Sequence, residues 1–367
     1  MDKPLIIAFY LPQYHPIPEN DEWWGKGFTE WTNVGKAKPL FRGHYQPKVP
    51  ADLGYYDLRN PEVREQQAKL AREAGVNGFC YWHYWFGNGK ELLERPFKEV
   101  VESGEPNFPF CLGWANENWQ AKLWNADCSS SVKKDLIIQE YPGTEDIRNH
   151  FYSQLKAFKD SRYIRINNRP LFLIYSPLKH PQLQDFFRIW NALIKENNVA
   201  ESFYFVGLAK DDQEMESLKK MGFDAVTSGL LDRIPSVYMK RPLLYRMVKY
   251  VLRTKFNRPV VIPYSKAAQL FSHPDFDGKE YVIPTIIPNW DHSPRSGGNS
   301  VILHNSTPQV FEKHCETVLN IVKNKENKII FLKSWNEWGE GNYMEPDLKY
   351  GKGYIQALAK AIKNVFP

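Results

Sequence analysis

Short apolar runs, rich in β-branched and aromatic residues, recur eight times along the chain, and a helix-period pattern follows most of them. The runs cover residues 5–10, 78–82, 110–114, 171–175, 203–208, 225–227, 281–287 and 329–334. Amphipathic patterns cover 61–74, 91–102, 144–159, 181–197, 213–221, 308–322 and 354–365. The first has Pro61 just inside its start and Gly75 just past its end, the asymmetry expected of a helix. Buried strands alternating with helices read as parallel βα units. Eight such units predict an α/β fold, a single (β/α)8 barrel of the TIM type spanning residues 1–367 as one catalytic domain. A length of 367 residues fits one large barrel. No Gly-rich phosphate loop follows the first run, which argues against a dinucleotide-binding sheet.

Two stretches break the alternation. Residues 19–58 are rich in Trp, Pro and Gly and read as a long loop after strand one, folded over the barrel mouth. Residues 232–266 form a second insertion after strand six. Between Arg233 and Arg258 it carries eight Lys or Arg and no Asp or Glu. Leu243, Leu244, Met247, Val248, Val251 and Leu252 recur there at roughly helical spacing. A basic amphipathic helix can make peripheral contact with an anionic membrane, which suits a lipid-linked glycan substrate. The simpler expectation is a helix of the barrel wall with a solvated basic face, and an acidic polysaccharide partner is a third.

The net charge of +6 permits an anionic partner without demanding one, and no nucleic-acid partner is expected. Cys80, Cys111, Cys128 and Cys315 lie far apart without metal-type spacing, and Cys80 and Cys111 sit in apolar runs as buried thiols would. No histidine pair shows metal spacing, so neither a metal nor a cofactor is expected. The opening residues turn polar too quickly for a signal peptide or membrane span, which gives the expectation of a cytoplasmic protein. Oligomeric state leaves no trace in the sequence.

The residues after each run are chemically distinctive, and in a (β/α)8 barrel those strand ends form the active site. Tyr10, Tyr14 and His15 follow strand one; His83, Tyr84 and Trp85 follow strand two. Trp114, Asn116 and Glu117 follow strand three, Tyr175 strand four, and Trp290 and Asp291 strand seven. Strand eight runs into Asn336, Glu337, Trp338 and Glu340. Aromatic faces stack on sugar C–H faces, while amides and carboxylates bind hydroxyls, so the set reads as a substrate-binding surface for an oligo- or polysaccharide. The plainer alternatives are core packing for Trp114, a hydrogen-bonded structural role for His83 and a backbone or Arg partner for Glu117.

Glu337 and Glu340 are the catalytic candidates. In a helical turn residues three apart become neighbours with Cβ atoms about 5–6 Å apart, and Gly339 and Gly341 allow such a turn. Two carboxyls that close cannot both ionise cheaply, so one pKa rises and one stays low, as glycoside hydrolysis requires. About 5 Å is the retaining separation. The alternative is an exposed pair capping the last helix.

The run Trp335-Asn336-Glu337-Trp338-Gly339-Glu340-Gly341 resembles the Asn-Glu-Trp-x-Glu-Gly motif of glycoside hydrolase family 99 endo-α-mannosidases. The wider chain is more similar still to the WbsX-type proteins of bacterial surface-polysaccharide gene clusters. Tyr10–His15 matches their Tyr-Leu-Pro-Gln-Tyr-His, the Gly27–Asn33 run their Gly-Phe-Thr-Glu-Trp-Thr-Asn, and the Trp114–Trp119 run their Trp-Ala-Asn-Glu-Asn-Trp. Trp31 joins the substrate-binding candidates through this match. The resemblance implies retention through the substrate's own 2-hydroxyl, with a 1,2-anhydro sugar between two steps. It makes Glu337 the base on that hydroxyl and Glu340 the general acid, then base. Gly339 stands where the mannosidases usually carry a bulkier residue, often His, which leaves the sugar unassigned. The first expectation is therefore a retaining glycoside hydrolase acting on a bacterial surface-type glycan. A glycosyltransferase of O-antigen or lipopolysaccharide biosynthesis and a catalytically silent glycan-binding barrel are the rivals.

Overall fold

In the computed structural model, residues 2–120, 135–228, 234, 238 and 242–367 are described. The central sheet runs through β1 (Leu5–Tyr10), β2 (Gly78–Trp85), β3 (Phe110–Trp114), β4 (Arg169–Ile174), β5 (Tyr204–Ala209) and β6 (Ala225–Ser228). It continues through β7 (Val282–Ile283), β8 (Thr285–Ile286) and β9 (Ile329–Leu332). Every pairing between these neighbours is parallel, and β1 lies between β9 and β2.

The nine strands make eight staves. The 281–287 run is cut at Pro284, whose ring nitrogen has no hydrogen to give a ladder. The first half, β7, pairs with β6 and the second half, β8, with β9. The architecture is thus a nearly closed TIM-type (β/α)8 barrel, with long excursions after strands one and six.

Helices pack around it in chain order: α1 (Pro18–Trp24), α2 (Glu30–Lys36), α3 (Pro61–Ala74), α4 (Arg95–Ser103), α5 (Thr144–Lys159) and α6 (Leu183–Glu196). Then come α7 (Asp212–Lys220), α8 (Pro242–Phe256), α9 (Tyr264–Phe271), α10 (Pro308–Lys323) and α11 (Gly353–Val365). Asn60 caps α3 by accepting from Glu62 N at 3.0 Å. Gly75 ends α3 in the left-handed region at φ 83°, where a Cβ would lie 2.6 Å from Ile362. Helix α4 starts four residues later than the periodicity predicts, because Glu91–Leu92 pairs with the end of β2.

Side chains alternate along β2. Trp82 points into the lumen, stacked on Phe9 at 4.8 Å, while Tyr81 packs outward against Phe97 of α4. Gly113 makes room: a Cβ there would stand 3.3 Å from the Trp82 ring. Cys80, Cys111 and Cys315 are buried free thiols, and Cys128 lies outside the described residues.

The insertion after β6 builds a satellite core rather than a length of barrel wall. Ile234, Val260, Ile262, Tyr264, Ala267 and Phe271 form it with Ile287 and Leu303. Val260–Pro263 pairs in parallel with Val301–His304. Tyr245 and Leu252 seat α8 on this core, and Arg233 lies outside the described residues. No helix among the described residues is long and apolar enough to cross a membrane.

Candidate active site

Beyond β9 the chain forms the short strand Asn336–Glu337 and then a single 3-10 turn, Trp338–Glu340. Gly341 closes the turn at φ 59°, donating its N–H to Trp338 O at 2.9 Å. This brings the carboxyls of Glu337 and Glu340 into direct hydrogen-bond contact at the barrel mouth.

Arg295, from the segment after β8, reaches both. Its Nη1 donates to Glu340 Oε1 at 2.6 Å and its Nη2 lies 3.8 Å from Glu337 Oε2. The same guanidinium holds Glu30 through two 2.9 Å hydrogen bonds, from Nε to Oε1 and from Nη2 to Oε2. Glu30 opens α2 and is fully buried; its own N–H donates to Gln13 O at 3.1 Å, which ties the helix to the end of β1. At Gly339 a Cβ would fall 1.6 Å from Glu30 Oε1, so the glycine makes room for the Glu30 carboxyl.

One proton belongs to the glutamate pair. Burial, then the charge of Glu340, push Glu337 well above the usual carboxylate range. Burial acts the same way on Glu340 but loses to Arg295, His292 and the hydrogen bond from Glu337, which hold Glu340 below that range. Burial opposes the charge on Arg295, yet Glu30, Glu340 and Glu337 outweigh it and keep the guanidinium ionised. His292, 3.8 Å from Glu340, is held below its ordinary pKa by burial.

Tyr84 is buried against Trp119 at 5.1 Å, within range of the pair's charges. After burial itself, the charges of Glu337, Arg295, Glu340 and Glu30 all act on its phenol. Trp290 stands at the rim, half-buried against His292 at 5.8 Å. Asp291 adjoins through its backbone N–H, which donates to Glu340 O at 2.6 Å. Its carboxylate accepts from Gln46 at 2.7 Å and contacts His44 at 2.9 Å. Burial raises this carboxyl, but His44, Lys48 and the hydrogen bond from Ser293 outweigh it and hold Asp291 far below the usual range. A cavity of about 40 Å³ opens beside it, bounded by Gly341, His44, Lys48, His304 and Lys349.

A layer beneath the pair fixes its backbone. Asn336 accepts from Leu11 N at 2.8 Å and donates to Leu11 O at 3.0 Å, clamping the turn to the end of β1. Tyr14 donates to Asn336 O and accepts from Trp338 N at 3.2 Å. Trp31 packs against Tyr14 and Trp338 at 4.7 and 5.5 Å. Trp338 stacks on Tyr343 at 3.7 Å and donates to Glu345 Oε2 at 2.6 Å. Glu345 also accepts from Gln67 at 2.6 Å and Tyr56 at 2.9 Å. Burial outweighs those donors and pushes its carboxyl up to about 7.

The remaining candidates have other partners. Tyr10 is buried against α3, donating to Gln67 at 2.7 Å, and His15 contacts Pro12 O at 3.1 Å. His83 faces His150 and Glu91 outside the barrel, and Trp85 donates to Asp146 at 3.1 Å. Trp114 donates to Trp85 O at 2.8 Å and packs on Phe186. Asn116 bridges to Ser176, Glu117 pairs with Ser176 and Lys179, and Tyr175 lies edge-on to Trp82 at 5.6 Å. Among the described residues no group of three or more His, Cys, Asp or Glu could hold a metal ion. Sequence reasoning left out Glu30, Arg295, His292, Lys48 and Glu345. Glu30 lies inside the Gly27–Asn33 run, and His292 and Arg295 follow Trp290 and Asp291 within four residues, whereas no such signal points to Lys48 or Glu345.

The family described as Glycosyltransferase WbsX matches residues 6–358. The chain belongs to the WbsX family. This WbsX-family chain is 35% identical over 364 residues to the Xanthomonas campestris pv. campestris protein described as Uncharacterized protein WxcX, covering 97% of the chain and 49% of that protein. It is 24% identical over 307 residues to the Homo sapiens glycoprotein endo-alpha-1,2-mannosidase-like protein, covering 80% of the chain and 56% of that protein. The chain spans about half the length of the curated relatives it matches. Among solved structures, a glycoside hydrolase-like protein superposes with TM-score 0.61 at 15% identity, covering 99% of this chain and 94% of that one. The GH99 endo-alpha-mannosidase of Bacteroides thetaiotaomicron does so with TM-score 0.58 at 14% identity, covering 98% and 97%. The fold of this WbsX-family chain is glycosidase-like, and fold and family are those of carbohydrate-active proteins.

Proposed function

We propose that residues 1–367 act as one catalytic unit, a retaining glycoside hydrolase for a bacterial surface-type oligo- or polysaccharide, with Glu337 and Glu340 as its proton-handling pair. The observation that carries this reading is the pair itself: two carboxyls in contact, sharing one proton, with Arg295 bonded to Glu340. Such a pair holds an acid and a base at one point of the barrel mouth.

The direction of the shifts adds a step to the family's chemistry. Burial leaves the proton on Glu337, the residue that the resemblance makes the base. Passing it along the Glu337–Glu340 hydrogen bond prepares both residues at once. Glu340 then protonates the glycosidic oxygen as the C1–O bond breaks. Glu337 takes the proton of the sugar 2-hydroxyl as its oxygen bonds to C1. In the second step Glu340 takes a proton from water as the water oxygen bonds to C1, and Glu337 returns its proton to the 2-oxygen. Two inversions at C1 give net retention.

Tyr84 and Trp290 supply a hydroxyl partner and a stacking face beside the pair. The family's description supports a second reading, a glycosyltransferase, in which a sugar from a nucleotide donor is passed to a hydroxyl of the growing glycan. The test is turnover on defined oligosaccharides by wild type, Glu337→Gln and Glu340→Gln, with and without nucleotide-sugar donors. Donor-free cleavage lost in both variants supports the hydrolase. Product formed only with a nucleotide sugar replaces it with the transferase.

A further inference from the structure

We propose that the outward face of α8 is a docking surface for an anionic membrane leaflet. The inference is independent of the hydrolase reading, because it rests on a helix outside the catalytic turn.

Helix α8 has two apolar faces. Tyr245 and Leu252, seven residues apart and therefore on one side, pack into the satellite core. On the opposite side Leu243, Met247 and Tyr250 follow one another at i, i+4 and i+7. They are 79%, 58% and 67% exposed, with Val251 and Leu244 beside them. Single exposed apolar residues are ordinary, but a continuous stripe on one helix face marks an interaction surface.

The charges fit one class of partner. At about 100° per residue, Arg246 and Arg253 border the stripe on one side and Lys255 on the other. Lys249 lies over the Tyr245 ring at 5.8 Å, nearer the packed face. No acidic residue occurs between Arg233 and Arg258. A stripe of Leu, Met and Tyr between rows of cations matches the boundary between anionic headgroups and acyl chains. A second copy of the chain would bring the same cations face to face. An acidic polysaccharide would meet the cations and leave the stripe in water. With 15 residues the helix is about 22 Å long, which suits lying in the interface and not crossing it.

The test is co-sedimentation of the whole chain with phosphatidylcholine vesicles, with or without phosphatidylglycerol, at low and high salt. The expected result is binding to the phosphatidylglycerol vesicles only, weakened by salt. Met247→Ser/Tyr250→Ser and Arg246→Gln/Arg253→Gln should each lower the bound fraction at least about tenfold. Far-ultraviolet circular dichroism of both variants should match wild type, since all four side chains point to solvent. Absent binding by wild type overturns the proposal, and so does binding unchanged in the Met247/Tyr250 variant. Two further outcomes overturn it: a concentration-dependent dimer that the same variant loses, or retention on an acidic polysaccharide without vesicle binding. Turnover by Glu337 and Glu340 is not read by this experiment, so its failure leaves the hydrolase reading standing.

Discussion

Arg295 donates a 2.6 Å hydrogen bond to Glu340 while the same guanidinium grips the fully buried Glu30 at two points. One cation therefore sets the ionisation of a carboxyl of the proposed catalytic pair and compensates a structural one. Removing it strands Glu30 in the interior. Arg295→Met should lower stability by about 3–5 kcal/mol, the range for breaking a buried pair. Adding Glu30→Gln should restore much of that stability without restoring turnover, because Glu340 still lacks its partner. Urea unfolding and turnover of the single and double variants check both halves.

Gly339 leaves room for the Glu30 carboxyl, whose oxygen occupies the place of a Cβ. Gly339→Ala must therefore displace a side chain locked by Arg295. The expected cost is roughly 1–3 kcal/mol, the usual range for overpacking. Turnover should fall as well, since the displaced Glu30 pulls Arg295 from Glu340. Thermal unfolding with parallel activity assays reads both effects.

The pH profile should be bell-shaped, with both limbs belonging to the pair. In the proposed mechanism activity requires one proton on it. It is lost on the acid side as Glu340, held below the usual range, gains a proton. It is lost on the alkaline side as Glu337, raised by burial, gives its proton up. Arg295→Met should move the acid limb upward, because the charge that holds Glu340 ionised is gone. A kcat/KM profile of wild type and variant measures the shift.

Glu345 predicts a stability trend. Its carboxyl is raised from about 4.5 to about 7, so the folded state binds that proton more tightly than the unfolded chain. The contribution is complete below about pH 4.5 and is lost as pH rises through 7. At about 1.4 kcal/mol per pH unit the loss is roughly 3 kcal/mol. Glu345→Gln, with nothing to ionise, should flatten the curve across that window. Urea unfolding of both proteins at pH 5 and pH 8 measures it.

The barrel was legible because each stave is a local pattern, a short apolar run followed by a helical period. The break at Pro284 was not read: residues 281–287 were expected as one strand, and the pairing of its halves with different neighbours shows only in the fold. In the candidate site the turn that makes neighbours of Glu337 and Glu340 was legible, because the two carboxylates and the flanking glycines are local in sequence. Elsewhere one-dimensional reading blurred the faces. The stretch after strand two reads as a continuous aromatic mouth, but alternation turns Trp82 and Tyr84 inward and His83 and Trp85 outward. Glu30 and Arg295 stand 265 positions apart, and no local pattern links them. Their pairing exists only because the loop after strand one folds over the segment after β8. Helix α8 shows the same limit: its spacing announced an amphipathic helix, but only packing shows that the apolar residues divide between two faces.

The most direct test of the proposed function is the anomeric form of the sugar first released by wild type, followed by proton NMR without a nucleotide sugar, with Glu337→Gln and Glu340→Gln as controls. The account predicts the same anomer as in the substrate and no release by either variant. An inverted anomer, or release that survives either substitution, would contradict it.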